Sequence, residues 1–400
     1  MNLAVRDIWH QKSRFLQTCL GLGLLLGVVM SMLGIYRGLI AEALSILDRT
    51  GADLWVVQQH TNGPFAATSR LPEAAKDRVR AVPGVAQASP LSFQNIQIER
   101  HGAILRFFLV GYEPGGLGGP QGIVAGRGIN RKHHEIVVDQ ALGIPLGDSL
   151  ALAGDRYTVV GHTRGMVSSG GDPAAFVTLA DAQEVQFKND PNAIRNERAR
   201  LAAQVATWEG ISPAERDALP SKAAALASDI HIINALAVRL NPSAGLGTTR
   251  ERIDRWSHLR AISDAEQRLI LTEGMIQKAK KQIGLFSVIL LAISTVIISL
   301  IIYTMTLDKL RVIATLKLIG AQNRVIVGLI LQQSLLMGAI AYGLGYGLTH
   351  LTYDRFPRRV ELLPFDLERL FVIVMAICVL ASLAGIRKAM RVDPAQALGR

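Results

Sequence analysis

The chain has 400 residues, half of them hydrophobic, with 43 Lys and Arg against 32 Asp and Glu, giving a formal net charge of +11. It is too apolar for an ordinary soluble enzyme, and with 19% charged residues too polar to lie in lipid throughout, so a mixed architecture follows. The bases flank apolar stretches, which sets nucleic acid aside as a partner, and the two cysteines, Cys19 and Cys378, lie inside apolar runs that offer no disulfide framework or thiolate metal site.

In chain order, residues 1–14 place Val5, Ile8 and Trp9 on one helical stripe, predicting a short helix along the inner membrane surface. Residues 15–37 form the first span, with no charge between Arg14 and Arg37. That run matches the ~20 apolar residues a crossing helix needs and exceeds the ~7–15 of a cleavable signal peptide.

Residues 38–282 read as a water-exposed α+β domain. DLWVVQ from Asp53 is strand-like, Pro72 to Ala81 helical, and SFQNIQIER and ILRFFLVGY pair across His101 and Gly102 as a hairpin. EIVVD and YTVVG add short strands between glycine-rich turns. Residues 183–228 turn to Ala, Arg, Glu and Gln at helical spacing and predict a helical insertion. HIINALAVRL returns to strand character, and Ser263 to Gln282 reads as one helix running into the second span, a rigid lever.

Further spans follow at 283–307, 325–349 and 370–386, separated by a loop at 308–324 and another at 350–369, with a tail at 387–400. The fold class is therefore a membrane protein, an α-helical four-span bundle with a large α+β extracytoplasmic domain between the first two spans. Small residues recur at four-residue spacing, at Gly23, Gly27 and Ser31, at Ala339, Gly343 and Gly347, and at Ala381 and Gly385, as close helix packing in lipid requires. No charged residue lies inside the four spans, which disfavours a proton-driven transporter.

Bases retained on the cytoplasmic side orient a membrane protein. Arg6, Lys12 and Arg14 at the start, Lys309, Arg311, Lys317 and Arg324 after the second span, and Arg387, Lys388, Arg391 and Arg400 in the tail put both termini inside. Arg355, Arg358, Arg359 and Arg369 in the loop before the fourth span run against the rule.

The loop DKLRVIATLKLIGAQNR, residues 308–324, is unusually apolar. Asp308 suits a helix start, Leu310, Ile313, Ala314 and Leu316 follow at helical spacing, and Gly320 supplies the stop. Apolar side chains left in water are costly, so this helix predicts a docking surface for a soluble partner, made of Leu310, Ile313, Ala314, Leu316, Lys317, Leu318 and Gly320.

Other chemistry is set aside. GYEPGGLGGPQG lacks the dinucleotide fingerprint and no G-x-x-x-x-G-K-[ST] loop occurs, so no nucleotide site of that kind is expected. His133, His134 and Glu135 suggest a metal cluster, but strand neighbours point to opposite faces, and solvated surface is the reading preferred. Ser168 and Ser169 with His162 lack the G-x-S-x-G elbow.

Residues 311–348, RVIATLKLIGAQNRVIVGLILQQSLLMGAIAYGLGYGL, resemble the FtsX-like permease domain shared by MacB, lipoprotein-releasing permeases and related ABC exporters. Val312 stands where that family commonly has an acid. The tail RKAMRVDPAQALGR and the start NLAVRDIWHQKSRFLQTCLG also resemble the family, and LPEAAKDRVRAVPGVAQASP and ALGIPLGDSLALAGDRYTVVGHTRGM look like its two periplasmic subdomains. The resemblance is nearest to permeases of the DevC type, associated with glycolipid export. It implies a subunit without cofactor of its own, working with a cytoplasmic ABC ATPase that binds ATP and magnesium, a second permease copy in a homodimer or heterodimer, membrane lipid, and a periplasmic adaptor protein. An FtsX-like signalling permease that activates a periplasmic hydrolase, or a lipoprotein-releasing permease, is the rival expectation.

Overall fold

A computed structural model describes residues 12–189, 232–275, 277–308, 310–356 and 359–390. Residues 1–11 of the predicted surface helix, most of the insertion at 183–228 and the end of the 387–400 tail fall outside these residues, and residues 12–14 are the start of α1. The helices, in chain order, are α1 (Lys12–Thr50), α2 (Ala75–Arg80), α3 (Leu179–Asn189), α4 (Leu246–Asp254), α5 (Asp264–Leu269), α6 (Gln277–Asp308), α7 (Leu310–Leu318), α8 (Asn323–Thr352) and α9 (Pro364–Met390). The chain divides into two units, one of Met1–Leu39 with Gln277–Arg400, the other of Ile40–Ile276.

Phe15–Thr50, Ala279–Asp308, Asn323–Thr352 and Pro364–Met390 are each long and apolar enough to cross a membrane. The first and fourth are longer than the apolar windows suggest. Arg37 closes the uncharged window of α1, and Glu42, Asp48 and Arg49 follow it, yet none of them stops the helix. In α9, Pro364 starts the helix and Asp366, Glu368 and Arg369 occupy its first turns ahead of the apolar stretch. Phe15, Cys19, Leu22, Leu26, Met30, Ile298, Ile302, Ile330, Met337, Val374 and Cys378 form the shared core.

The second unit carries strands β1 (Leu54–Gln58), β2 (Leu71–Pro72), β3 (Val85–Arg100), β4 (Ala103–Tyr112), β5 (Ile123–Gly126), β6 (Glu135–Asp139), β7 (Ser149–Leu152), β8 (Asp155–Thr163), β9 (Ala174–Thr178), β10 (Ile232–Ile233), β11 (Ala235–Leu240) and β12 (Leu259–Ser263). Ten of them form one mixed sheet in the order β12-β1-β11-β3-β4-β9-β6-β8-β5, with β7 on β8, while β10 pairs with β2. The β3–β4 hairpin turns at His101 and Gly102, both at positive φ as a two-residue hairpin turn demands. Alternate residues of β1 serve two layers: Leu54 and Val56 pack with Val79 of α2 and Ile253 of α4, whereas Trp55 and Val57 pack with Ile46 and Leu47 at the end of α1. Both faces are covered, which is why the central strands are apolar throughout.

Two local expectations change. The helix expected at Pro72–Ala81 shrinks to Ala75–Arg80, because Leu71 and Pro72 are drawn into pairing with Ile233 and Ile232. The lever expected from Ser263 to Gln282 is not one α-helix: α5 gives way to a π-helical stretch at Ile270–Met275 before α6 begins.

Candidate functional site

The short helix predicted within residues 308–324 forms as α7, immediately after the second span. Asp308 is the last residue of α6 rather than a cap standing outside both helices. At the other end Gly320 adopts φ of 94°, donating its N–H to the Lys317 carbonyl, and Gln322 leads in extended backbone into α8. A residue with Cβ would be strained at Gly320.

The docking residues divide between two faces. Ile313 and Ala314 are buried, Ile313 in the core it shares with Phe15 and Ile326, so these two are packing residues of the membrane unit and not a free docking surface. Exposure falls instead on Val312 (60%), Leu318 (58%) and Ile319 (79%). Val312 and Ile319 are additions to the expected set. Leu310 and Leu316 lie on α7, with side chains outside the described set. Lys317 is also committed, since its ammonium donates to the carbonyl oxygens of Ala389 (3.1 Å) and Met390 (3.2 Å) at the C-terminal end of α9. A cation placed on the last carbonyls of a helix satisfies orphan acceptors and the helix dipole together. α7 is thus fastened to the end of α9.

Higher in the bundle, α1 and α8 approach closely. A Cβ on Gly345 would lie 2.9 Å from the Gly23 oxygen and 3.0 Å from the Gly27 nitrogen, and one on Gly27 would lie 3.3 Å from the Gly345 oxygen. The Thr349 hydroxyl donates to the carbonyl oxygens of Gly27 (3.1 Å) and Gly345 (2.9 Å). Gly23 and Gly27 therefore lie against α8, and Ser31 of the same stripe is buried. The α8 side of this seam is Ala341, Gly345 and Thr349; Ala339 and Gly343 are exposed, and neither Gly343 nor Gly347 has an atom within 4 Å of a built Cβ. Ser334 donates to the Cys378 carbonyl and Tyr342 to that of Leu367, tying α8 to α9, while Gly385 faces Ile302 and Thr306 of α6. Arg37 and Asp366 make a two-point ion pair (2.6 and 2.9 Å) between α1 and the first turn of α9.

In the second unit His133 and His134 are exposed, as solvated surface would have them, whereas Glu135 is not. Glu135 is buried, accepts both terminal nitrogens of Arg127 (2.6 and 2.9 Å), and also accepts the backbone N–H groups of Asn130 and Arg131. The Arg127 guanidinium, helped by those amides, holds its carboxyl down from 4.5 to about 2. A carboxyl lowered in the folded state stabilises above its unfolded value and loses that contribution as pH falls. Glu135→Gln is expected to lower the unfolding temperature at neutral pH, and the gap from the parent should close between pH 4.5 and about 2; a constant gap across that window counts against the assignment. His133 lies against buried Asp181 (2.8 Å). Among the described residues no group of three His, Cys, Asp or Glu is placed to hold a metal. Ser168 accepts the N–H groups of Gly170 and Asp172 in a turn, and His162, on β8, bonds the Ile144 carbonyl, so both are engaged locally.

The sequence matches the MacB-like periplasmic core domain over residues 15–255 and the FtsX-like permease C-terminal domain over residues 284–394. The chain belongs to the MacB/FtsX-type family of ABC transporter permeases. Within this family it is 25% identical over 396 residues to an uncharacterized ABC transporter permease of Mycobacterium tuberculosis, covering 99% of this chain and 98% of the relative. A second, from Mycobacterium bovis, is 24% identical over the same length. Among solved structures it is similar to the extracellular domain of the noncanonical ABC-type transporter YknZ from Gram-positive bacteria (TM-score 0.32, 11% identity, 52% of this chain and 100% of that one). It is also similar to the periplasmic region of MacB from Actinobacillus actinomycetemcomitans (TM-score 0.33, 9% identity, 56% and 94%). Membership of the MacB/FtsX-type family carries with it an ABC ATPase partner, and the water-exposed unit is the family's periplasmic domain.

Proposed function

We propose that this permease is the membrane subunit of an exporter in the bacterial inner membrane, with both termini cytoplasmic. A separate ATPase, which holds the ATP and magnesium, docks on the exposed side of α7 and drives movement of the periplasmic domain, expelling an amphiphilic or lipid-like substrate. A second permease copy, identical or similar, completes the assembly, and a periplasmic adaptor receives the cargo. The observation that carries this reading is the division of α7 into a buried face and an apolar exposed one. Three large apolar side chains on one short connection are costly in water and suit a protein partner.

The test is co-purification of the cognate ATPase with the full chain. The double substitution Leu318→Asp and Ile319→Asp should abolish co-elution while leaving the permease monodisperse and as thermally stable as before, because both side chains are exposed. Ile313→Asp should instead unfold the membrane unit. Undiminished co-elution of the double variant, or none with the unaltered chain, would reject the docking surface.

A further inference from the structure

The periplasmic unit contains a cleft of about 730 Å³, within the ~300–1,000 Å³ range of small-ligand sites. One wall is the segment from Pro72 to Asp77 leading into and through the start of α2, and the other runs from Lys132 and His133 to the start of α3. Tyr112 and Pro114, just at and beyond the end of β4, line it between them. Gln183 on Glu73 (3.0 Å) joins the two walls, Lys76 on Glu113 (2.7 Å) ties the first to the residue after β4, and Thr178 donating to the Lys132 carbonyl (2.9 Å) braces the second.

Those pairings sort the charges around the cleft. Lys76, Glu113 and Glu73 are each engaged by a neighbour, and His133 is engaged by Asp181. The Lys132 ammonium and the Asp77 carboxylate, on opposite walls, have no hydrogen-bond or ion-pair partner among the described residues. Between them the lining is apolar, with Pro72, Pro114 and Leu179. Tyr112 is only 5% exposed and lines this space, and its hydroxyl has no hydrogen-bond partner among the described residues. The oxygen itself still meets solvent, so the hydroxyl is open to a ligand acceptor in the cleft. Burial pushes that hydroxyl up to about 12, so it remains a proton donor throughout the physiological range.

We infer that this cleft binds a compact zwitterion with an apolar body, its anionic group on Lys132 and the Tyr112 hydroxyl and its cationic group on Asp77. The inference rests on the periplasmic unit alone and stands or falls separately from ATPase docking on α7. A purely anionic or purely cationic ligand would leave one of the two opposed charges unmatched, and an uncharged one would desolvate both without compensation.

The probe is the tripeptide Ala-Leu-Ala, compared with its N-acetylated, C-amidated and doubly capped forms. Binding to the full chain in nanodiscs is measured by calorimetry. Saturable binding of the free-ended peptide is expected, weakened roughly tenfold or more by Lys132→Gln or Asp77→Asn, as for charge-assisted contacts, and more mildly by Tyr112→Phe. Lys132 and Asp77 are exposed side chains and Tyr112→Phe keeps the ring, so the fold should be retained in all three. The C-amidated peptide should be indifferent to Lys132→Gln, and the N-acetylated one indifferent to Asp77→Asn. Equal binding of free and doubly capped peptides, or no saturable binding to the unaltered chain, would overturn the assignment.

Discussion

Gly345→Leu is expected to collapse the yield of monodisperse permease and lower its unfolding temperature sharply, whereas Gly343→Leu, two residues away, should leave both unchanged. The contrast follows from what each side chain would meet. A Cβ at Gly345 falls on the Gly23 oxygen, the Gly27 nitrogen and the Leu26 Cβ, at 2.9, 3.0 and 3.2 Å, and two of these are backbone atoms of a helix that cannot yield singly. A Cβ at Gly343 has nothing within 4 Å. Overpacking a well-filled core costs ~1–3 kcal/mol when side chains can adjust, and separating two helices costs more. The Thr349 hydrogen bond to the Gly27 carbonyl would be lost with the seam. Fluorescence-detected size exclusion after a heating series measures both variants. Equal behaviour of the two would refute the packing register.

The register of that seam marks where sequence stops being sufficient. Glycine and alanine occur on α8 at positions 328, 338, 339, 341, 343, 345 and 347, so four-residue spacing alone permits several parallel stripes. Ala339, Gly343 and Gly347 satisfy it as well as Ala341 and Gly345 do. The discriminating signal lies in the polar residues: Ser334 and Thr349 sit on the buried face and donate to carbonyls of α9 and α1. A hydroxyl in lipid seeks such an acceptor. The four spans, the hairpin at His101 and Gly102 and the helix between the second and third spans were all legible, because hydropathy, turn chemistry and apolar period are local properties.

Other features needed the tertiary structure. The end of α1 carries Glu42, Asp48 and Arg49 beyond the uncharged window that Arg37 closes, yet Ala43, Ile46 and Leu47 keep a helical period and are buried. Reading period in place of hydropathy would have extended the helix. Glu135 resembles surface beside two histidines until Arg127 and the Asn130 and Arg131 amides close around it. The π-helical turn at Ile270–Met275 has no sequence signature that distinguishes it from the α-helix on either side.

Lys317→Ala is expected to separate ATP hydrolysis from transport: the ATPase should still co-purify, while substrate efflux from reconstituted vesicles falls roughly tenfold or more. The exposed residues Val312, Leu318 and Ile319 remain in place in this variant, so docking is preserved. What disappears is the ammonium that donates to the Ala389 and Met390 carbonyls and fastens α7 to the end of α9. Hydrogen bonds to a charged donor contribute ~1.5–3 kcal/mol, enough to shift a two-state coupling by one to two orders of magnitude. Lys317→Arg keeps a cation near the same carbonyls and should retain most of the transport, although a planar guanidinium is a poorer match than a compact ammonium for two convergent acceptors. A structural role alone would lower thermal stability and ATPase co-purification together. A coupling role lowers transport with both held constant. Efflux by Lys317→Ala at the parental rate, with normal ATPase content, would show that force from α7 reaches the periplasmic domain by way of α6 or α8 instead of α9.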